Sequence, residues 1–264
     1  MLSSQVIQTS IDELRAITRV DLCVYDPMGA VMAATAEMKE IHTGLISAFA
    51  ASPADSQVIG SDHLLKVWDE GELLFVIVAR GTGDDAYMVG KIAVSQIHNL
   101  AIAYKERFDR NNFFQNLLLD NLLLVDIYNR AKKLHVETAA PRAVYLIETK
   151  GEKDGMVTEL LKGMFSNQGG DYITAVDEAN IILIKNMESG SEHGDLMSVA
   201  DTIVAMMNAE AMLNVKVAFG TVVQELKDVS KSYKEAKMAL DVGKIFYAEK
   251  SVIAYSTLGI GRLI

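Results

Sequence analysis

The chain has 264 residues, half of them hydrophobic and under a quarter charged, with only three prolines, which marks folded globular matter and excludes a disordered or fibrous chain. Its net charge of −10 is spread over both halves, 7 basic against 13 acidic side chains in residues 1–105 and 13 against 17 in residues 140–264, which disfavours direct contact with nucleic acid or anionic membrane. The N-terminus lacks a signal-peptide pattern, the apolar stretch Leu117–Val125 is too short to span a bilayer, and Cys23 has no second cysteine to pair with, so a cytoplasmic protein is expected.

The periodicity predicts an opening helix over 3–18, with Ile7, Ile11 and Leu14 on one side and Ser3 or Ser4 as its cap. Strand chemistry follows in 20–26, a turn at Pro27-Met28-Gly29 and a second strand over 30–35. Residues 40–50 read as a helix burying Ile41, Leu45, Ile46 and Phe49. His63–Trp68 and Leu73–Ala79 form the clearest hairpin, and LLFVIVA suits a central strand covered on both faces. The order suits a small antiparallel sheet with helices packed against it.

Asp84 and Asp85 open a further helix whose apolar stripe is Val89, Ala93, Ile97, Leu100 and Tyr104. No proline interrupts the chain from there to Ala140, and a second stripe runs through Phe113, Leu117, Leu124, Ile127, Ala131 and Leu134. Asn111 and Asn112 mark a candidate break. Phe114, Leu118, Val125 and Tyr128 fill the neighbouring stripe, a width that points to a homodimer through the helical region, with Phe113, Leu117, Leu124 and Ile127 as its contacts. The alternative is two shorter helices folded back onto their own domains.

Beyond Pro141 the pattern gives a strand over 142–148, a helix over 153–165, strands over 171–176 and 180–185 joined through Asp177-Glu178-Ala179, a helix over 196–213, a strand over 215–223 containing Gly220, a helix over 228–246 and a short strand over 252–255. These are the parts of an α/β (α+β) sandwich. The divisions expected are a sensor-like α/β domain over 1–105, a helical linker and dimerisation region over 106–139, a second α/β domain over 140–255, and the start of a further helical segment over 256–264.

The blocks NNFFQNLLLDNLLLVDIYNRAKKLHV (111–136), RAVYLIET (142–149), YITAVDEANIILIKN (172–186), VKVAFGT (215–221) and SYKEAKMAL (232–240) together resemble the PucR/CdaR family of bacterial transcriptional regulators. That resemblance implies a sensing domain first, a degenerate GGDEF-like domain in the middle and a helix-turn-helix module beyond the present C-terminus. It further implies a ligand-responsive regulator that senses a small-molecule effector and touches DNA only through that last module. The alternative is a signalling adaptor or protein-interaction scaffold that dimerises without a small ligand.

Catalysis is not expected. A diguanylate cyclase carries a Gly-Gly-Asp/Glu-Glu-Phe turn, whose glycines admit the nucleotide and whose carboxylates hold magnesium. Here the turn reads Thr174-Ala175-Val176-Asp177-Glu178-Ala179-Asn180, without either glycine, and Gly169-Gly170-Asp171 lies one strand too early. The histidines at 42, 63, 98, 135 and 193 show no metal-ligand spacing, so no metal and no cofactor are expected. The first domain is similar to profilin-, PAS- and GAF-type modules, which implies a cavity, and to roadblock-type modules, which implies a filled core and an interaction face. For a cavity, His42, Trp68 and Arg80 are the candidate ligand contacts.

Overall fold

The computed structural model describes residues 2–35, 43–81, 84–149, 154–165, 170–177 and 180–259, which divide into two units, 1–108 and 109–264. The first begins with α1 (Ser4–Thr18), followed by β1 (Asp21–Tyr25), β2 (Val31–Ala34), α2 (Thr43–Ala51), β3 (Ser56–Ile59), β4 (Asp62–Asp69), β5 (Glu72–Arg80) and α3 (Asp84–Leu118). Ser3 caps α1 by accepting from the Val6 amide, and Arg19 closes it in the left-handed conformation. The strands form one antiparallel sheet in the order β2-β1-β5-β4-β3.

Strand alternation sorts the side chains of this sheet. Leu22, Val24, Val67, Ile77 and Ala79 face α1 and the first half of α3, meeting Ile7, Ile11, Leu14, Val89, Ala93 and Ile97. Cys23, Tyr25, Leu64, Val76 and Val78 face the other way, onto Ile46 and Phe49 of α2. Both faces are thus filled with apolar side chains. Gly90 lets α3 lie close to the sheet, because a Cβ there would stand 2.6 Å from a Leu65 methyl. The edge strand β3 escapes the sequence reading because all four of its residues are exposed and it exists only through its pairing with β4.

The second unit takes the end of α3, then α4 (Leu124–Lys133), β6 (Arg142–Glu148), α5 (Asp154–Met164), β7 (Tyr172–Ala175), β8 (Asn180–Asn186), α6 (His193–Ala211), β9 (Lys216–Phe219), α7 (Val229–Phe246) and β10 (Val252–Ala254). Its sheet runs β10-β9-β6-β8-β7, with β10 parallel to β9 and the other pairs antiparallel. Ala143, Tyr145, Ile147, Ile181, Leu183, Val217 and Phe219 meet α5 and α6. Val144, Leu146, Ile182, Ile184 and Ala218 meet α4, α7 and the end of α3. This is an α/β sandwich built on a mixed sheet.

Two expectations about the helical region change here. The break falls after Leu118, not at Asn111-Asn112, which lie inside α3. Phe113, Leu117 and Ile127 are buried in their own unit beside Val229, Tyr233 and Leu240, so the sandwich itself covers the stripe expected to face a partner chain. Leu124, the fourth expected contact, remains exposed.

Candidate functional site

The turn between β7 and β8 occupies the position at which a cyclase would carry its glycines. Asp177 closes it as a local cap: its Oδ1 accepts from the Asn180 amide at 2.8 Å, and both carboxylate oxygens accept from the Asn180 side-chain amide. The Cβ groups of Ala175 and Val176 occupy the backbone edge that glycine would open. Glu178, the other acidic residue of the turn, lies outside the described residues. The turn has the chemistry of a structural hairpin, and the chain is not an enzyme of the cyclase type.

What the strand leading into the turn, β7, does have is a hold on α3. Gln115 donates from Nε2 to the Ala175 carbonyl at 2.6 Å, and Thr174 donates its hydroxyl to Asn111 Oδ1 at 2.8 Å. Tyr172 adds a longer bond to the same Asn111 oxygen and stacks on Phe114, with ring centroids 4.1 Å apart. Residues 111, 114 and 115 lie within about one helical turn, so one face of α3 binds the edge strand β7 along its length. No local signal betrays this latch, since its partners are about 60 residues apart in sequence.

Where α3 ends, Asp120 adopts a left-handed conformation and pairs with Lys234 of α7 at 2.7 Å, which holds its carboxyl below the usual carboxylate range. These two residues border a shallow cleft of about 480 Å³, with Ser230, Lys231, Glu235 and Tyr255 among its lining. Glu235 is engaged by the amide and hydroxyl of Thr221. Two carboxylates offset two ammonium groups, so the cleft has no charge excess to attract a phosphate.

The candidate ligand contacts in the first unit do not converge. Trp68 pairs with Leu73 near one end of the β4–β5 ladder and Arg80 with Asp62 at the other. Six residues of strand separate them, about 20 Å. Arg80 is spent on a two-pronged ion pair with Asp62, which raises its pKa, while Trp68 is 41% exposed and donates its indole N–H to Asp55. His42 lies outside the described residues. Among the described residues no three His, Cys, Asp or Glu side chains are grouped to hold a metal ion, and no helix is long and apolar enough to cross a membrane.

Residues 121–242 match the family model of the GGDEF-like domain. Among solved structures the chain is similar to PelD from residue 158 to the C-terminus from Pseudomonas aeruginosa PAO1, at 13% identity and a TM-score of 0.31, with 82% of each chain covered. It is also similar to PelD 156–455 from P. aeruginosa PA14 in complex with c-di-GMP, at 13% identity and a TM-score of 0.26, covering 84% of this chain and 82% of that one. No curated protein matches. The expected PucR/CdaR regulator is corrected by these findings: the similarity is to a GGDEF-like domain and to PelD, which overturns the transcription-regulatory reading and the DNA partner that came with it. The second unit is similar, over residues 121–242, to the GGDEF-like domain family.

Proposed function

We propose that the chain is a non-catalytic signalling adaptor that works as a homodimer, its first unit a roadblock-type interaction module and its second a degenerate GGDEF-like domain. Residues 1–105 serve for interaction, 106–139 for connection and assembly, and 140–255 as the GGDEF-like domain. The observation that carries this reading is the filling of both faces of the first sheet, by α1 and α3 on one side and α2 on the other. A PAS- or GAF-type sensor needs a cavity between sheet and helices. The order helix, two strands, helix, three strands, helix fits the interaction module instead.

The test incubates the full chain with guanosine triphosphate and magnesium and follows the nucleotide by chromatography. No cyclic dinucleotide is expected. Product at turnover stoichiometry that disappears in Asp177→Ala would refute the reading. A calorimetric titration with c-di-GMP, present in one of the PelD structures, forms a second arm. Saturable binding there identifies the adaptor's input as a nucleotide, and silence leaves protein contact as its input.

A further inference from the structure

The two edges of the first sheet differ. At β2 the register shifts between Val24 and Tyr25, and the side-chain amide of Gln8, on α1, binds the backbone of Ala34 twice, accepting from its N–H at 3.1 Å and donating to its carbonyl at 3.0 Å. That edge is covered. At β3 the pairing with β4 runs without a bulge, the strand contains no proline and no charge, and all four residues are exposed, Val58 by 59%. Bulges, lysines, prolines and coverings ordinarily close an edge to further pairing, and among the described residues β3 has none of them.

Strand register fixes which groups β3 has on offer. In an antiparallel pair alternate residues turn both backbone groups toward the partner strand. The Lys66 amide donates to the Asp55 carbonyl at 3.1 Å, so residues 55, 57 and 59 face β4, and the N–H and C=O of Ser56 and Val58 point away from the sheet. Only another extended backbone meets two donors and two acceptors at that spacing. The side chains divide by face. Val58 lies opposite His63, whose ring approaches Tyr87 of α3 at 6.1 Å, whereas Gln57 lies opposite Leu64 on the α2 face, with Asp55 next on the same side. Asp55 carries the exposed charge of this edge, because Lys66 is buried and Arg80 is held by Asp62. A second copy brings the same carboxylate and no cation to meet it, in a unit with 7 basic and 13 acidic side chains over residues 1–105.

We propose that β3 is a docking edge for an extended segment of another protein in which apolar and basic residues alternate. The segment runs antiparallel to β3 and continues the ladder at Ser56 and Val58. Its apolar side chains lie beside Val58, and its basic ones reach Asp55 on the α2 face. This deepens the adaptor reading, on whose interaction module it rests, by naming the chemistry of what the first unit takes.

The sole tryptophan supplies the readout, because Trp68 donates its indole N–H to Asp55. The full chain is titrated with a blocked peptide of about seven alternating lysine and valine residues, long enough to overlap the strand, and the emission is followed. Saturable binding is expected, at least about tenfold tighter than that of a valine–glutamate peptide or of the lysine peptide N-methylated on its valines. Val58→Pro should abolish it and leave the thermal melt unchanged, since that N–H takes no part in the β3–β4 ladder. A lysine peptide that does not saturate overturns the docking edge, as does binding that survives Val58→Pro or N-methylation. Equal affinity for the glutamate peptide overturns the basic segment. Sedimentation of the same variant distinguishes a second copy: if Val58→Pro dissociates a dimer, the edge serves another copy of this chain and the foreign segment is overturned. The non-catalytic adaptor stands or falls separately, on nucleotide turnover.

Discussion

Removing both polar members of the α3 latch, in Asn111→Ala/Gln115→Ala, should loosen β7 and the turn after it while leaving the sandwich folded. Two of the three bonds lost are short, at 2.6 and 2.8 Å, and the third is long, at 3.4 Å. Each good bond is worth a net 0.5–1.5 kcal/mol, and the latch is only partly buried, so the two together contribute about 1–2 kcal/mol. The Phe114–Tyr172 stack and the pairing of β7 with β8 survive the substitution. If β7 opens locally, its amide exchange should therefore accelerate about 5–30-fold, because 1.4 kcal/mol is a factor of ten in an opening equilibrium. Hydrogen exchange read by mass spectrometry on peptides covering 172–177 measures this against the central strand β6, which should not change. Unaltered exchange in β7 would refute the latch, and equal acceleration in β6 would show that the bonds stabilise the whole unit instead of its edge.

Two further outcomes follow from the second sheet. A Cβ on Gly220 would lie 2.1 Å from the Ser232 carbonyl oxygen, and Ser232 itself accepts from the Val144 amide and donates to the Thr221 carbonyl. Gly220→Ala must push α7 off the sheet, at a cost of about 3–5 kcal/mol once both bonds are counted. Calorimetry should record a fall of about 10 °C in the melting of this unit, and a change within about 2 °C would contradict the close approach. Tyr145 is buried with its hydroxyl donating to the Leu196 carbonyl, and burial, aided by Asp171 and Asp195, pushes its pKa up. Its contribution is intact below the ordinary phenol value near 10, since the unfolded chain ionises first, and is lost as pH rises above that value. Alkaline unfolding of Tyr145→Phe should show a shallower pH dependence by up to about 1.4 kcal/mol per pH unit, with Tyr233, also raised by burial, supplying what remains.

The elements with an apolar pattern, one-sided or continuous, were legible in the sequence, and those without one were not. Ile7, Ile11 and Leu14 mark α1 because each points at the same sheet, and LLFVIVA marks β5 because the third of five strands is covered on both sides. β3 has no buried residue and hence no pattern. The stripe from Phe113 to Leu134 was visible, but its partner was not: the same leucines serve a second chain or their own sandwich equally well, and only the placement of Val229, Tyr233 and Leu240 opposite them decides. The degenerate turn was legible because the absence of glycine at 175 and 176 is a local fact. The latch was not, because Asn111 and Gln115 look like ordinary solvated helix residues until β7 is brought beside them. His42, Trp68 and Arg80 were chosen by residue type, and strand register sends the last two to opposite ends of a ladder.

The latch lies wholly within the second unit, between the end of α3 and the edge strand β7. Residues 86, 89, 93 and 97 of α3 are buried in the first core and residues 113, 114, 117 and 118 in the second, while no side chain from 98 to 112 is buried. Within the first unit Leu100 and Tyr104 still pack on the core as half-buried residues, and Lys105 pairs with Asp69 and Glu70 of the β4–β5 hairpin. The two short latch bonds together contribute about 1–2 kcal/mol. A weaker latch would be swamped by thermal opening of an edge strand, and a much stronger one would fix the turn in a single state. At this size the bonds bias β7 toward its place on α3 without locking it.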